Sequence, residues 1–503
     1  MNLNSQMHGK SPRAYTWGSQ NPSVWGSQTS RAVGSLSCRL RTPAAVATSG
    51  GQGDNGLSMT SLKSPPGPRG HWLVGSLREV SADRLAFFRR CFDEYGDAAA
   101  FRMASRRGIL LSHPDDIERV LVTENRRFGK NFALRLMRPL LGNGLILAEG
   151  DAWLRQRRLI QPAFSKQQIE SYAPAMVAAT RDFLTGWRNG DIRNIHSEMM
   201  QLTMDIAGRT LLGVNATGQF GGVRESLEGV MEDFLARFRR PITIPLWLPT
   251  PGNLRLKRHI ARLNGILQAL IEQRRASSTV GGDFLSLLIR ARDEGDGSGL
   301  SDKQLRDEVM TMFLAGHDTT ANAISWTWWL LGQHPEIQHR LREEVDAALS
   351  GREATAADIS RLSLCENILR ESMRLYPPAY VVGRRALEDC TIGKYPIRKG
   401  TNVLMSSWVV HRDPRWYDRP DDFLPDRWAD GLLTRIPKYA YFPFGGGPRA
   451  CIGNNFAMQE GVLVIATMAQ QLELTTATLP PIKLLPAITL KPGQPLEMKV
   501  QRR

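Results

Sequence analysis

The segment from Ser301 to Leu331 carries the longest helical pattern in the chain. It spans about 31 residues, which at about 1.5 Å per residue corresponds to a helix of about 45 Å. A helix of that length crosses a whole domain. Further helical patterns fill the middle of the chain, whereas strand patterns are short and lie near residues 98–111, near 391–401 and towards the end. The sequence therefore predicts a mainly α fold with a small β region.

Composition restricts the class of protein further. The chain has 503 residues, 42% of them hydrophobic, and no apolar run reaches the roughly 18 residues of a membrane-spanning helix. The five cysteines are scattered and form no C-x-x-C pair, which disfavours a disulfide framework or a zinc site and favours a reducing compartment. The net charge of +16 permits an acidic partner or anionic surface, but no nucleic-acid fold signature accompanies it. We predict a cytoplasmic protein that does not bind nucleic acid.

Residues 1–60 differ from the rest of the chain. They are rich in Ser and Gly, carry a single acidic residue and repeat the tetrapeptide Trp-Gly-Ser-Gln. Such a segment buries too little apolar surface to fold, so we predict a disordered extension before a folded domain over residues 61–503. Two alternatives remain open: residues 1–58 act as an organelle-targeting segment, or translation starts at Met59.

The stretch FPFGGGPRACIG places Cys451 behind three glycines, Gly445 among them, and a proline. A thiolate that binds iron needs backbone N–H groups and positive charge near the sulfur. The glycines let the backbone approach closely, and a predicted helix over residues 452–470 presents its positive end to the anion. The alternative reading is a buried free cysteine without chemistry.

This stretch resembles the signature F-x-x-G-x-R-x-C-x-G of the cytochrome P450 superfamily of heme-thiolate monooxygenases. Phe444, Gly447, Arg449, Cys451 and Gly453 match it. The resemblance implies a triangular prism of helices that holds heme b between the long helix and the cysteine-loop helix. It assigns Cys451 as the axial iron ligand and Arg449 as a contact of a heme propionate. It also places Phe444 near the sulfur, and Gly445 and Gly453 beside the macrocycle.

The sequence AGHDTT interrupts the long helix with residues that weaken helices. Local rules are most often broken at functional sites. The resemblance assigns Asp318 and Thr319 to the relay of protons during dioxygen activation and Gly316 to a groove for dioxygen. It places Ala315 at the heme face and the substrate. We expect His317 to be a packing or hydrogen-bonding residue and not a metal ligand.

A second family motif, E-x-x-R, is matched by Glu371 and Arg374, which lie three residues apart on one helix face. Read alone, the pair would be a surface ion pair of under about 1 kcal/mol. Arg427, in FLPDRW, matches the arginine that completes the family's buried triad. Asp426 stands where glutamate is common in the family, a difference that we expect to matter little.

Further motifs provide candidate contacts of the heme propionates. Trp153 and Arg157 match W-x-x-x-R, and Arg158 adds charge on the same helix. Arg384 matches a third arginine of the family, although Arg385 is an alternative. Arginines suit this role because their planar fork matches a carboxylate.

The positions that contact substrate in the family are apolar here, so we predict a lipophilic substrate such as a fatty acid, a terpene or a xenobiotic. The loop over residues 241–249 contains Trp247 and reads either as a membrane contact or as a lid over the substrate entrance. The candidate substrate contacts are Phe132, Leu140, Leu141, Leu145, Ala315, Tyr380, Val381, Val382 and Ile488.

The resemblance implies dioxygen as co-substrate and electrons from a separate ferredoxin, flavodoxin or flavin reductase. Because about 50 residues follow Cys451, we expect no fused reductase and a monomeric enzyme. Two alternative functions remain: a heme-thiolate enzyme that rearranges peroxides or dehydrates its substrate without dioxygen, and a non-catalytic heme-binding or nucleic-acid-binding protein. The pair Asp318 and Thr319 argues against the first alternative.

Overall fold

The computed structural model describes residues 63–214, 221–239, 244–277, 281–293 and 295–503. The predictions made for residues 1–60, including the extension, the targeting segment and the start at Met59, lie outside the described residues.

Helices make up most of the described chain, and the longest of them lie in its second half. In chain order they are α1 (Leu77–Ala82), α2 (Arg84–Tyr95), α3 (Pro114–Glu118), α4 (Phe132–Arg135), α5 (Arg138–Leu141), α6 (Gly150–Ile160), α7 (Lys166–Ser171), α8 (Ala173–Leu184), α9 (Ile195–Ala207), α10 (Gly221–Arg239), α11 (Pro251–Ala276), α12 (Phe284–Arg290), α13 (Asp302–Leu331), α14 (Pro335–Leu349), α15 (Ser363–Leu375), α16 (Ser407–Val410), α17 (Leu432–Arg435) and α18 (Asn454–Gln471).

The strands are short, and all except one lie before residue 131 or after residue 381 in the described chain. They are β1 (Ala98–Met103), β2 (Arg106–Leu111), β3 (Phe128–Lys130), β4 (Ile192–Asn194), β5 (Val382–Ala386), β6 (Cys390–Ile392), β7 (Tyr395–Ile397), β8 (Asn402–Met405), β9 (Leu472–Thr476), β10 (Leu484–Pro486), β11 (Leu490–Pro492) and β12 (Glu497–Arg502). The predicted mainly α fold with a small β region is confirmed.

The long helix predicted from the sequence is α13. Ser301 caps it: the Ser301 hydroxyl accepts the backbone N–H of Gln304 at 3.3 Å, and the Gln304 side chain accepts the N–H of Ser301 at 3.0 Å. This reciprocal capping satisfies two donors that a helix start leaves without partners. The helix packs against α9, α15 and α18, and nearly all of its residues after Arg306 are buried. It is therefore the axis of the main hydrophobic core.

Asp83 separates α1 from α2, because its extended backbone lets its carboxylate accept the N–H of Ala86 at 3.0 Å and start α2. One predicted boundary differs from the structure. The helix expected from residue 452 begins at Asn454, because the chain around Gly453 is not yet helical. Two residues, Ile452 and Gly453, therefore lie between Cys451 and the start of α18.

The main sheet joins its strands in the order β1, β2, β8, β5, β3. The last pair, β3 and β5, is antiparallel and places Lys130 opposite Arg384. Separately, β10 and β11 form a hairpin near the end of the chain, with Pro486 opposite Leu490. Within the described chain, no helix is both long and apolar enough to cross a membrane.

Candidate active site

The cysteine loop is a tight turn that only glycine can form at one position. Gly447 has a φ of +66°, and a Cβ atom added there would lie 1.8 Å from the carbonyl oxygen of Leu121. The N–H of Cys451 donates to the carbonyl of Phe444 at 3.0 Å and closes the loop. Gly445, with a φ of +68°, also adopts the left-handed conformation. The loop thus presents the sulfur from a fixed backbone.

The thiol of Cys451 is exposed to the space in front of the loop. Burial of its surroundings raises the pKa of Cys451, whereas the Gly453 N–H and the charge of Arg157 act in the opposite direction. Among the described residues, no group of three or more His, Cys, Asp or Glu side chains is arranged to hold a metal ion. An iron bound here would need most of its ligands from an organic macrocycle, as heme provides.

The helix α6 brings two predicted residues to this loop. The Arg157 guanidinium donates to the carbonyl of Ala450 at 3.0 Å, directly before the cysteine. The Arg449 guanidinium lies 4.4 Å from the centre of the Trp153 ring and donates to the carbonyl of Ala148 at 2.9 Å. The structure therefore gathers Trp153, Arg157 and Arg449 around the cysteine loop.

Two further cations lie on the neighbouring sheet. Arg384 is buried, and burial together with the charge of Arg449 lowers its pKa to about 10. Lys130 is also buried, and burial with the charges of Arg384 and Arg449 lowers its pKa to about 7. Arg385 is less buried and is not among the charges that act on this cluster.

These cations lack carboxylate partners of their own. In the described part of the chain, Lys130, Arg384 and Arg449 form no ion pair. The charge of Glu149 acts on Lys130 and Arg449, but the oxygens of Glu149 are bonded to the Lys130 backbone N–H and to Arg135. Buried like charges without paired counterions are costly. Two carboxylates at this point would remove that cost, so the residues fit the propionates of heme.

The middle of α13 faces open space along one narrow stripe. Between residues 307 and 331, all residues are buried except Ala315, Gly316 and Thr319. The Thr319 hydroxyl donates to the Ala315 carbonyl at 2.6 Å. Residues four apart share a helix face, so Ala315 and Thr319 line the same space.

The Asp318 carboxylate lies on a different side of α13, against the β10–β11 hairpin. Its oxygens accept the Thr489 hydroxyl at 2.7 Å and form an ion pair with Lys491. Burial alone would raise the pKa of Asp318, but the charge of Lys491 and these hydrogen bonds hold the pKa below its usual value. The sequence did not indicate this partner.

The predicted triad forms a cluster in which Glu371 and Arg374 are buried and Arg427 is partly buried. Glu371 accepts hydrogen bonds from Nε and Nη2 of Arg374, each at 2.9 Å, and from Nε of Arg427 at 3.0 Å. The indole N–H of Trp428 adds a bond at 2.9 Å, a contact that sequence reasoning missed. Arg374 in turn donates to the carbonyl of His411 at 2.8 Å.

His411 connects this cluster to the cysteine loop. Its Nε2 accepts the backbone N–H of Phe442 at 2.9 Å, at the start of the loop. Burial, with the charges of Arg374 and Arg412, holds the pKa of His411 well below its usual value, which keeps the ring neutral and able to accept. His411 therefore links the Glu371 cluster to the cysteine loop and fixes the position of one relative to the other.

Comparison with known proteins identifies the family. The family model described as cytochrome P450 matches residues 65–500. The chain belongs to the cytochrome P450 family. Fold class and enzyme class follow: this P450 is a heme-thiolate oxidoreductase of the monooxygenase type.

Three similar proteins are known from Streptomyces. Cyclooctat-9-en-7-ol 5-monooxygenase of S. melanosporofaciens is 33% identical over 82% of this chain and 92% of its own length. Cyclooctatin synthase of the same organism is 34% identical over 80% of this chain and 88% of its own length. Pentalenene oxygenase of S. avermitilis is 33% identical over 78% of this chain and 87% of its own length.

The candidate substrate contacts of this P450 fall into two groups. Val381, Val382 and Ile488 are only partly buried, like Ala315. Leu140, Leu141 and Leu145 are buried in the main core. The remaining candidates make other contacts: Phe132 stacks on the Arg106 guanidinium at 4.1 Å, and the Tyr380 hydroxyl donates to the carbonyl of Ala487 at 2.9 Å.

The exposed loop of this P450 is described from residue 244. Trp247 is 75% exposed there, whereas Ile244, Leu246 and Leu248 are partly buried.

Proposed function

We propose that this P450 inserts one oxygen atom of dioxygen into a largely hydrocarbon substrate of the terpene type. It would use heme b and electrons from a separate ferredoxin, flavodoxin or flavin reductase. The observation that carries the proposal is the exposed Cys451 thiol beside buried cations that lack carboxylate partners. Heme b bound at this site would require a thiolate ligand for its iron and cationic contacts for its propionates.

The residues around the loop would hold the heme. Cys451 would supply the sulfur ligand, and the propionates would be held by Trp153, Arg157, Arg384, Arg449 and Lys130. When bound, heme activates dioxygen so that one atom enters the substrate and the other is reduced to water. Phe444, Gly445 and Gly453 form the backbone and ring surface next to the sulfur.

Thr319 and Asp318 would transfer protons from two different sides of α13. Thr319 lies on the stripe that faces open space, where its Oγ1 would hold a proton for the dioxygen chemistry that heme supplies when bound. Asp318 is buried and charged, and it can take protons from water and pass them on. Gly316 leaves room for a groove beside Thr319, because it adds no side chain there.

The apolar character of the candidate contacts supports a hydrocarbon substrate. Ala315, Val381, Val382 and Ile488 are partly buried and carry no polar side-chain group. Two similar proteins are named for pentalenene and cyclooctat-9-en-7-ol, by name an unsaturated hydrocarbon and an unsaturated alcohol. A pocket of this kind binds such compounds by excluding water from apolar surface.

The electron donor is proposed from exposed charge near α6. Arg158 and Lys166 have side chains that are 62% and 90% exposed, and they lie close in sequence to Arg157 at the cysteine loop. Positive charge at such a surface increases the association rate of an acidic partner and makes that rate dependent on salt.

The first experiment is the carbon-monoxide difference spectrum of the reduced protein. We expect the red-shifted Soret band of a thiolate-ligated heme, and its loss in Cys451→Ser but not in Cys390→Ser, the matched control. Pentalenene should then shift the heme spin state of the wild-type protein. A band typical of histidine ligation, or equal spectra for the two variants, would contradict the assignment of Cys451.

A second experiment tests the role of Thr319. In Thr319→Ala we expect reductant to be consumed while product formation falls by about tenfold or more, because a general acid near the reacting atom is lost. Product and reductant are measured together. Unchanged coupling between them would remove Thr319 from the proton relay. Thr327→Ala, two turns further along α13, is the control, because its hydroxyl bonds only to the Ala323 carbonyl at 2.8 Å.

A further inference from the structure

A cavity of about 290 Å³ lies behind the central helix. Its walls come from α9, α10, α13 and the β10–β11 hairpin, and they include Met200, Met204 and Met231. On α13 the cavity touches His317, which lies on the side of the helix away from Ala315 and Thr319. Glu232, which is exposed, lines the cavity and connects it to solvent. The cavity therefore lies against a different side of α13 from Thr319, and it also reaches Ile488, the candidate substrate contact at the tip of the hairpin.

The hairpin holds Asp318 at the wall of this cavity. Lys491 lines the cavity and forms the ion pair with Asp318, and Thr489 donates to the other carboxylate oxygen at 2.7 Å. The Asn322 amide donates to the backbone carbonyl of Asp318 at 2.5 Å, and its oxygen lies 3.2 Å from Nε2 of His196, also in the cavity wall. The carboxylate is thus bound from the cavity side.

Lys491 is the cation in this wall that acts most directly on Asp318. His196 faces the cavity from α9, and burial with the charge of Lys491 lowers its pKa to about 4, so it is neutral near pH 7. His317 faces it from α13, and Glu232 from α10 at the solvent side. Without Lys491, burial would favour the protonated form of Asp318.

We propose that Lys491 is a positioning residue for Asp318: it holds the carboxylate on the cavity side of α13, and the cavity supplies the water from which Asp318 takes its protons. This inference rests on the proposed monooxygenase function. A cavity of this size accommodates several waters at roughly 30 Å³ each, and Lys491, His196 and Glu232 offer them polar partners.

Two variants of Lys491 test the positioning role. Lys491→Met removes the charge and keeps much of the apolar length, whereas Lys491→Arg keeps the charge. Lys483→Met is the matched control, because Lys483 is exposed next to the same hairpin and forms no ion pair in the described structure. The carbon-monoxide difference spectrum of each variant reports separately on the heme site, so a failure of the proposed function is recognised by itself.

The first readout is infrared spectroscopy and does not depend on turnover. We expect Lys491→Met to show, near neutral pH, an additional carbonyl stretch of a protonated carboxylic acid that is absent from the double variant Lys491→Met/Asp318→Asn. Burial raises the pKa of Glu308 and of Glu460, so these two side chains contribute such a band in every variant, and each spectrum is compared as a difference from the wild-type protein. Lys491→Arg and Lys483→Met should show no additional band. Absence of the band from Lys491→Met would overturn the proposal, whatever the state of the heme.

The second readout is the yield of product per reductant consumed, measured against pH and in deuterated water. For Lys491→Met we expect a yield about tenfold lower near neutral pH and a larger solvent isotope effect, with recovery in Lys491→Arg. Equal yields and isotope effects in Lys491→Met and the wild-type protein would overturn the positioning role.

A third variant tests the cavity as the source of water. Met200→Trp fills part of the cavity and keeps the side chains of Asp318, Thr489 and Lys491 in the chain. At saturating substrate we expect a lower yield and a larger solvent isotope effect. Because Ile488 also lines the cavity, the spin-state shift on substrate binding is measured alongside and identifies any loss of substrate affinity. A yield and isotope effect equal to those of the wild-type protein would show that protons reach Asp318 by another path.

Discussion

Two buried clusters of charge in this P450 are built in opposite ways. Around Glu371, each arginine side chain is paired with the carboxylate and with backbone carbonyls. Around Lys130, Arg384 and Arg449, the cations lie together without an ion pair among the described residues, and their pKa values are lowered. The first cluster is complete within the chain and stabilises the fold. The second is the site that we propose for the propionates of heme, because a cluster of cations with lowered pKa values would be stabilised by an anionic ligand.

The largest effect on the free energy of unfolding is expected when the cluster around Glu371 loses its carboxylate. Glu371→Ala leaves the guanidinium groups of Arg374 and Arg427 buried without their carboxylate, at a cost of about 3–5 kcal/mol in the free energy of unfolding. Urea unfolding of the heme-loaded protein measures this. Glu366→Ala, which removes a partly exposed ion pair with Arg370, is the control and should cost under about 1 kcal/mol. Similar losses for both variants would contradict the central role of Glu371.

An intermediate effect is expected from the incomplete cluster. Lys130→Met removes a charged hydrogen-bond donor to a propionate, a contact of about 1.5–3 kcal/mol, so heme should leave roughly ten- to a hundredfold faster. Transfer of heme to a scavenging protein measures the rate. Lys166→Met, at an exposed lysine, is the control. An unchanged release rate would exclude Lys130 from the heme site.

The same lysine predicts a dependence of stability on pH. In the heme-free protein the pKa of Lys130 is about 7, below its usual 10.5, so between these values the unfolded chain binds the extra proton. The unfolding free energy should therefore rise with pH over this interval. Urea unfolding at several pH values should show this rise in the heme-free wild-type protein and a flatter profile in Lys130→Met. Equal slopes in the two proteins would show that Lys130 is not buried as described.

The smallest effect is expected at the edge of the complete cluster. Asp426 pairs with Arg340 at 2.6 Å, but both side chains are largely exposed and neither contacts Glu371. Asp426→Ala should therefore change the unfolding free energy by less than about 1 kcal/mol. A larger loss in thermal or urea unfolding would mean that the departure from glutamate at this position matters.

The sequence was informative where the chemistry is local. Glu371 and Arg374 lie three residues apart on one helix, and the cysteine loop is a run of consecutive residues, so both are visible in the order of the amino acids. Lys130 was missed because a lone lysine at the end of a strand reads as solvated. Only the register of β3 against β5 places it opposite Arg384.

The partner of Asp318 was missed for a similar reason. Lys491 follows it by 173 positions, and the turn of the hairpin alone brings the two together. The break in the helical pattern at Asp318 and Thr319 did indicate a functional position. It did not indicate that the two side chains serve different sides of α13, because a helix rotates about 100° per residue and the surroundings of each face are set by other elements.

The tip of the β10–β11 hairpin has a consequence for how this enzyme can diverge. Ile488, a candidate substrate contact, is followed directly by Thr489, which bonds Asp318, and three positions on by Lys491. A mutation at Ile488 that alters the backbone of the tip would also displace Thr489 and Lys491, the partners of the Asp318 carboxylate. Substrate range and the yield of product per reductant consumed should therefore change together when this tip is mutated. Directed evolution of the enzyme should find that gains in one are epistatic with the other.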